Sequence, residues 1–159
     1  MAVTEPEAEH VLRASVGELP RLVGKPFGPS AWRTITQDEV QRFADLTGDD
    51  NPIHTDEAAG VASPFGTTVV HGYLTLALVV PLMAEVLVVD EVGTGVNYGI
   101  DKLRFPAPVP VGSRVRLSGT VADVTEVSGG YQLHADVAFE TEGWSKPACV
   151  ARLVLRYYR

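Results

Sequence analysis

One apolar stretch, residues 73–89, constrains the fold of this chain more than any other feature of its sequence. Its residues YLTLALVVPLMAEVLVV place apolar side chains around most of a helix's circumference. Other structure must therefore surround that helix, because covering a single stripe would leave apolar surface in water. The stretch is slightly short for a bilayer span and contains Pro81 and Glu85. We predict a buried core helix and not a membrane helix.

The chain after this helix predicts the sheet that would enclose it. Four segments have the residue types of strands and are separated by turn sequences: 95–105, 114–127, 131–141 and 148–158. In the last segment Cys149 and Leu153 would face one side, and Arg152 and Arg156 the other, which is a period of two. Long consecutive strands with short turns favour an antiparallel sheet, and helices that precede most strands favour an α+β domain.

Length and composition limit the domain organisation. A chain of 159 residues that is 45% hydrophobic suits one compact domain, because a domain of this size buries roughly 70% of its unfolded surface. Residues 1–30 have weak periodicity and several Gly and Pro residues. We therefore predict a helical or irregular N-terminal arm over 1–30, a core that begins near Trp32, and a single domain over 31–159.

Charge and cysteine content argue against several functions and locations. A formal net charge of -7 disfavours nucleic-acid binding, since phosphate contacts depend on clustered Lys and Arg. The single cysteine, Cys149, excludes an intrachain disulfide and a CxxC motif, which fits a reducing cytosol. The acidic N-terminus lacks the basic start and apolar run of a secretory signal. We expect a cytoplasmic protein that binds neither nucleic acid nor a membrane.

Local signals become sharp from Thr36 onwards. Thr36 and Glu39 form a capping box at the start of a short helix, and Gly48 can end that helix in the left-handed conformation. The sequence DDNPIH then predicts a structured loop, because Pro52 biases Asn51 away from helical geometry. A second short helix is predicted directly after this loop.

Two sequence blocks, FADLTGDDNPIH and the later HGYLTLALV, resemble the MaoC-like or (R)-specific enoyl-CoA hydratase family of the hotdog-fold superfamily, including its NodN-like members. The similarity runs from about Trp32 to the C-terminus and includes NYGIDKLRFPAPVPVGSRVR. It implies a hotdog fold, in which a curved antiparallel sheet wraps a long central helix, and a homodimer. It also implies a loop that overhangs a tunnel for an acyl-thioester.

The same resemblance gives candidate site residues. Asp49 and His54 match the family's catalytic pair, and Asn51 and Pro52 match loop-shaping positions beside it. The implied activity is that of a hydro-lyase of fatty acid metabolism that reversibly hydrates trans-2-enoyl-CoA to the (3R)-hydroxyacyl product, with no metal or redox cofactor. Hydration requires water to lose a proton as it attacks C3, and another proton to reach C2. An Asp and a His that hold one water meet both needs.

Gly72 is a candidate for binding the thioester carbonyl oxygen. It begins the apolar helix, where unpaired backbone N–H groups and the helix dipole favour negative charge. A donor placed there would stabilise the enolate-like charge of the proton-transfer step. The alternative is a glycine that only opens the helix, and the role of the neighbouring His71 stays open.

Three other interpretations remain at this point. A hotdog thioesterase would use a carboxylate to activate water against the thioester carbonyl. A non-catalytic accessory protein would bind acyl-thioesters without turnover. A metal ion could be held by Asp49, His54 and His71, although no HxH or HExxH spacing places them on one helix face.

Cationic side chains near the predicted strands are candidates for contacts to the CoA phosphates. A local basic cluster can bind an anion even when the protein as a whole is negative. The alternative for each is an ordinary strand surface. The candidates are Lys102, Arg104, Arg114, Arg116 and Lys146.

Overall fold

The computed structural model describes residues 10–159, which form an α+β fold with one six-stranded sheet and a small two-stranded sheet. In chain order the elements are β1 (Leu12–Ser15), a 3₁₀-helix (Val16–Leu22), β2 (Pro26–Phe27), β3 (Arg33–Thr34), α1 (Gln37–Thr47), α2 (Pro52–Thr55), α3 (Glu57–Ala62), α4 (Gly72–Ala77), α5 (Val79–Val86), β4 (Leu87–Asp90), β5 (Thr94–Arg104), β6 (Arg114–Val127), β7 (Gly130–Thr141) and β8 (Cys149–Tyr158).

The main sheet has the order β2-β6-β7-β8-β5, and β3 also pairs with β6. Every pairing in this sheet is antiparallel. The four long strands predicted from the sequence are β5 to β8, and each predicted end lies within one residue of the observed one. The antiparallel sheet and the α+β class are confirmed. Strand β5 is an edge strand, since among residues 10–159 it pairs only with β8.

The core lies between the sheet and α5. On the sheet side, alternate residues of the strands are buried, among them Leu117, Leu133 and Phe139. On the helix side, Leu82 and Val86 join the same buried cluster. Burying one side chain of this kind is worth about 1.5–3 kcal/mol. The opposite face of the sheet carries the charged side chains that the period of two predicted.

The predicted helix over residues 73–89 is only partly present. It is divided at Leu78 into α4 and α5, and its last residues form β4 instead. Pro81 accounts for the division, because it has no N–H to bond the carbonyl of Ala77 and its ring crowds that carbonyl. The last residues become a strand because they pair in parallel with β1, a long-range contact that an apolar run cannot reveal.

The apolar pattern predicted that other structure surrounds the helix on all sides. The sheet does not do so. Tyr73 is 67% exposed and Val80 is 52% exposed in the single chain. One side of the helical segment therefore remains uncovered by the described residues. None of the described helices is both long enough and apolar enough to span a membrane.

The expectation that the core begins near Trp32 is wrong. Val16, Leu19 and Leu22 of the 3₁₀-helix are buried, and so is Phe27 of β2. Strand β1 pairs with β4, and β2 pairs with β6. The described part of the predicted arm is thus packed into the domain. Its helix and strands are too short to show a hydrophobic periodicity in the sequence. Residues 1–9 of that arm lie outside the described residues.

Cys149 is fully buried at the start of β8. Burial raises the pKa of its thiol to about 11, whereas an unfolded chain has a thiol pKa of about 8.5. The neutral thiol therefore contributes stability that is complete below the unfolded pKa and is lost as the pH rises through the folded pKa.

We expect native protein at about pH 8 to react with a disulfide reagent such as DTNB only as fast as it unfolds, because the thiolate is the reacting form. Denatured protein should react at once, with one thiol per chain. Absorbance of the released thionitrobenzoate measures both rates. Rapid reaction of the native protein would contradict the burial of Cys149.

Candidate active site

The candidate loop starts where α1 ends. Thr36 and Glu39 form the predicted capping box at the start of α1, and Gly48 ends the helix in the left-handed conformation with φ of 75°. Both predictions are confirmed. Because Gly48 reverses the chain direction at this point, Asp49 leaves the helix at once and is exposed.

The sequence DDNPIH contains one helical turn, α2, where a loop was predicted. The side chain of Asn51 caps this turn by accepting a hydrogen bond from the backbone N–H of Ile53 (3.3 Å). Pro52 occupies the first position of the turn, where its missing N–H costs nothing. The turn places His54 inside the protein, and Gln37 holds it there by donating to the His54 carbonyl oxygen (2.8 Å).

The His54 ring has a fixed orientation. Its Nδ1 lies 2.6 Å from the carbonyl oxygen of Val69, and the side chain is buried. A carbonyl oxygen can only accept, so Nδ1 carries the proton and donates it to Val69. In the neutral ring the lone pair is then on Nε2. His54 therefore has a nitrogen able to accept a proton from a neighbouring water.

His71 lies against His54 and is almost fully buried, at 1% exposure. Its Nε2 lies 2.9 Å from the backbone carbonyl oxygen of Asp49 and donates to it. The His71 and His54 rings have centroids 3.9 Å apart and planes tilted by 31°. The ring of Phe43 from α1 also packs on His71, with the two ring centroids 4.9 Å apart.

Asp49 and His54 converge in space although one is exposed and the other buried. A carboxylate oxygen of Asp49, a ring nitrogen of His54 and a ring nitrogen of His71 all lie within 4.8 Å of one another. A carboxylate and an imidazole at this spacing can hold one water molecule between them. The predicted pair is therefore close enough to act on one water.

The same three side chains are a donor set that a divalent metal accepts. Zinc binds histidine nitrogen at about 2.0–2.1 Å and in tetrahedral sites keeps its ligand atoms about 3.4 Å apart. The three ligand atoms lie within 4.8 Å of one another, and one nitrogen of His71 is already engaged by the Asp49 carbonyl. The donor set thus suits a metal in its chemistry, but a metal bound through that nitrogen would have to displace the hydrogen bond.

An apolar pocket of about 340 Å³ adjoins His54. Phe65 and Phe105 form aromatic walls, while Gly72 and Thr75 contribute the start of α4. An apolar cavity beside a few polar groups is the form in which small-molecule sites usually occur. The other lining residues are Ile53, Val69, Val70, Pro106, Ala107, Pro108, Val109 and Ala148.

Gly72 begins α4 at the wall of this pocket. Its N–H is one of the first in the helix, so no carbonyl of the helix itself can accept from it. A Cβ at this position would lie 3.0 Å from the ring of Phe105. The absence of a side chain therefore lets the ring of Phe105 pack close to the helix start.

Several residues that shape the site were missed by the sequence reasoning. Thr75 had a signal, since it is a polar residue within the apolar stretch 73–89. Gln37 gave no such signal, because it is one of several exposed polar residues at the start of α1. Phe65 and Phe105 had none, because an aromatic residue at the end of a strand or in a loop does not indicate which cavity it lines. The contacts of His71 also depend on chain segments far apart in sequence.

The five candidate cations do not gather at this pocket, and none of them lines it. Arg114 and Arg116 pair across strands with Glu142 and Glu140 on the outer face of the sheet. Arg114 also lowers the pKa of Glu142 through a side-chain hydrogen bond.

Lys102 and Arg104 border a different groove, of about 780 Å³, on that outer face, and Lys146 lines a third cavity. The five cations therefore form no common phosphate site beside His54.

The family described as MaoC like domain matches residues 18–141. The 3-hydroxyacyl-thioester dehydratase Z of Mycobacterium tuberculosis is 47% identical over 144 residues, which cover 90% of this chain and 95% of that protein. Nodulation protein N of Rhizobium leguminosarum bv. viciae is 37% identical over 144 residues, covering 88% and 89% respectively.

Among solved structures, the (R)-hydratase from A. caviae involved in PHA biosynthesis superposes with a TM-score of 0.68 at 25% identity. The match covers 84% of this chain and 94% of that one. This similarity supports the hotdog fold that the sequence predicted, with the central helix divided at Leu78.

Proposed function

This chain belongs to the family of MaoC-like domains, and on that premise we propose that it is an (R)-specific enoyl-CoA hydratase, or 3-hydroxyacyl-CoA dehydratase in the reverse direction. The observation that carries the proposal is the convergence of the Asp49 carboxylate and the His54 ring within 4.8 Å, beside an apolar pocket. The dehydratase relative with 47% identity along nearly its whole length supports the same reaction class.

In the proposed reaction Asp49 and His54 hold one water over the enoyl group. The water oxygen bonds to C3 of the substrate while one water proton passes to the pair. A proton from the pair then bonds to C2, so that the elements of one water molecule are added to the double bond. The Nδ1–H of His54 stays on the Val69 carbonyl, which keeps the lone pair of Nε2 available for this transfer.

We propose that the backbone N–H of Gly72 stabilises the negative charge that develops in this reaction. As water attacks C3, negative charge develops on the thioester oxygen. A substrate whose acyl chain occupies the pocket would bring that oxygen near the N–H of Gly72, which is part of the pocket wall. A donor already in place stabilises the charged state without reorganisation.

We also propose that the reaction needs no metal, because water can lose its proton to Asp49 and His54 directly. Dialysis against a chelator is expected to leave the hydration rate unchanged, although the donor set is one that zinc accepts. The rate before and after dialysis measures this. Loss of activity that added zinc restores would contradict the proposal and favour a metal-held water.

A homodimer is proposed from the uncovered surface of the chain. Strand β5 is an edge strand of eleven residues whose side chains are nearly all exposed; Tyr98 is 56% exposed and Ile100 42%. A long exposed edge that carries apolar side chains favours pairing with another strand, and most symmetric oligomers are two-fold dimers. The exposed side of the helical segment at Tyr73 supplies further apolar surface, and the Tyr73 ring contacts Phe105 of the pocket (6.1 Å between centroids).

Light scattering is expected to give twice the chain mass of 17.1 kDa. Ile100→Lys, which places a charge on the β5 edge, should shift the protein toward the single-chain mass. Val61→Lys is the control, because Val61 is also exposed but lies on α3, which is not part of the sheet. A wild-type protein of single-chain mass, or an Ile100→Lys variant that stays dimeric, would contradict the proposed interface.

The proposed reaction is tested with crotonyl-CoA and purified protein. We expect loss of the conjugated thioester absorbance without release of free thiol, and a (3R)-hydroxy product on chiral analysis. Stoichiometric thiol release would show a thioesterase instead. Binding of the substrate without either change would show an accessory protein, and the (3S) product would contradict the assigned stereochemistry.

A further inference from the structure

We propose that His71 is a positioning residue for the Asp49–His54 pair: it holds the backbone of Asp49 and the ring of His54 in the arrangement that the reaction requires. This inference rests on the proposed hydratase function. His71 is the one histidine of the cluster to which that function gives no task, and it is the most deeply buried of the three side chains.

The first contact of His71 is with the candidate loop. Its Nε2–H donates to the backbone carbonyl of Asp49 across 22 positions of sequence (2.9 Å). Asp49 has one other described hydrogen bond, from its N–H to the hydroxyl of Thr47 (3.3 Å). That bond lies within the same turn. Asp49 itself is exposed. The His71 bond therefore fixes an exposed loop residue to the buried start of α4.

The second contact is with the His54 ring. The two rings lie face to face at a tilt of 31°, with centroids 3.9 Å apart. His54 is held at Nδ1 by Val69, two positions before His71 in the chain. A ring anchored at one atom can still rotate about that bond, and the packed face of His71 blocks this rotation. Both members of the reacting pair are thus restrained by one side chain.

His71 itself has no route to the substrate. It is absent from the residues that line the pocket beside His54. Because Nε2 donates its proton to the Asp49 carbonyl, the lone pair of the neutral ring is on Nδ1, and Nδ1 is buried without a hydrogen-bond partner among the described residues. A nitrogen in that position cannot receive a proton from the reacting water. His71 therefore acts through Asp49 and His54.

Two substitutions separate the donor from the ring. His71→Gln places an amide N–H close to the position of Nε2 and so keeps the bond to Asp49. His71→Phe keeps an aromatic ring against His54 but has no donor. A purely structural histidine would respond mainly to loss of packing, so Phe would be the milder change; a positioning histidine would respond to loss of the donor.

With crotonyl-CoA we expect His71→Phe to lower kcat by about 10- to 100-fold, since small displacements of reacting groups have effects of this size. KM should change by less than about threefold, because His71 does not contact the pocket. His71→Gln should recover most of the lost kcat. Unchanged kcat in His71→Phe, or a lower kcat in His71→Gln than in His71→Phe, would overturn the proposal.

A spectroscopic readout keeps this test independent of catalysis. The Asp50 amide belongs to the peptide group whose carbonyl accepts the His71 bond, so its nitrogen-15 NMR shift reports that bond. The shift should move in His71→Phe and return toward the wild-type value in His71→Gln. An Asp50 signal that stays in place in His71→Phe overturns the role of His71, even if the wild-type protein proves inactive. Inactive wild type with the expected Asp50 shifts would overturn only the hydratase function.

Discussion

Substitution of His54 by Asn is expected to lower kcat for crotonyl-CoA hydration by about 10²- to 10⁴-fold, the usual contribution of a positioned acid or base. The amide nitrogen of Asn can still donate to the Val69 carbonyl, as Nδ1 of His54 does now. The substitution therefore removes the Nε2 lone pair with little effect on the fold. Asp49→Asn, which removes a carboxylate from an exposed position, should lower kcat over the same range.

Asp50→Asn is the matched control for this experiment. It removes the same chemical group from the adjacent residue, which is also exposed but belongs to no described cluster with His54. Its kcat should stay within about threefold of wild type, as expected for a residue outside the proton transfer. A His54→Asn variant with wild-type kcat would remove His54 from the mechanism, and an Asp50→Asn variant as damaged as Asp49→Asn would assign the effect to loop charge.

Gly72→Pro is expected to lower kcat by about 10²- to 10³-fold, as loss of one oxyanion donor does in other enzymes. Proline has no N–H, and the first position of a helix tolerates it. The preceding residue, His71, already has φ of -56° and ψ of 134°, the extended geometry that a following proline requires. The backbone can therefore accept this change.

Gly72→Ala is the control for the added side chain. Both variants place a Cβ about 3.0 Å from the Phe105 ring, so both require Phe105 to shift, but only proline removes the donor. The ratio of the two kcat values isolates the N–H. If Ala and Pro lower kcat equally, crowding at Phe105 explains the loss and Gly72 has no role as a donor.

Local sequence signals were sufficient for the elements that depend on neighbouring residues. The cap formed by Thr36 and Glu39, the left-handed Gly48 and the four long strands are all set by side chains within a few positions of one another. The pairing of Asp49 with His54 was inferred from resemblance to a family. The structure supplies the physical reason for it: Asn51 and Pro52 form a turn that points His54 inward.

Long-range contacts explain what the sequence did not reveal. The end of the apolar run became β4 because β1, more than 70 positions earlier, pairs with it. Leu19 is buried by strands that come much later in the chain. The bond from His71 to Asp49 and the walls of the pocket likewise join distant segments. No periodicity within one segment carries that information.

A double-mutant cycle tests most directly the central claim that Asp49 and His54 act on one water. If both groups serve the same proton transfer, the second substitution removes little that the first has left, as in other catalytic sets. The kcat of Asp49→Asn/His54→Asn with crotonyl-CoA should then lie within about tenfold of the slower single variant. Losses that multiply in the double variant would show that the two residues act independently, and would contradict the shared water.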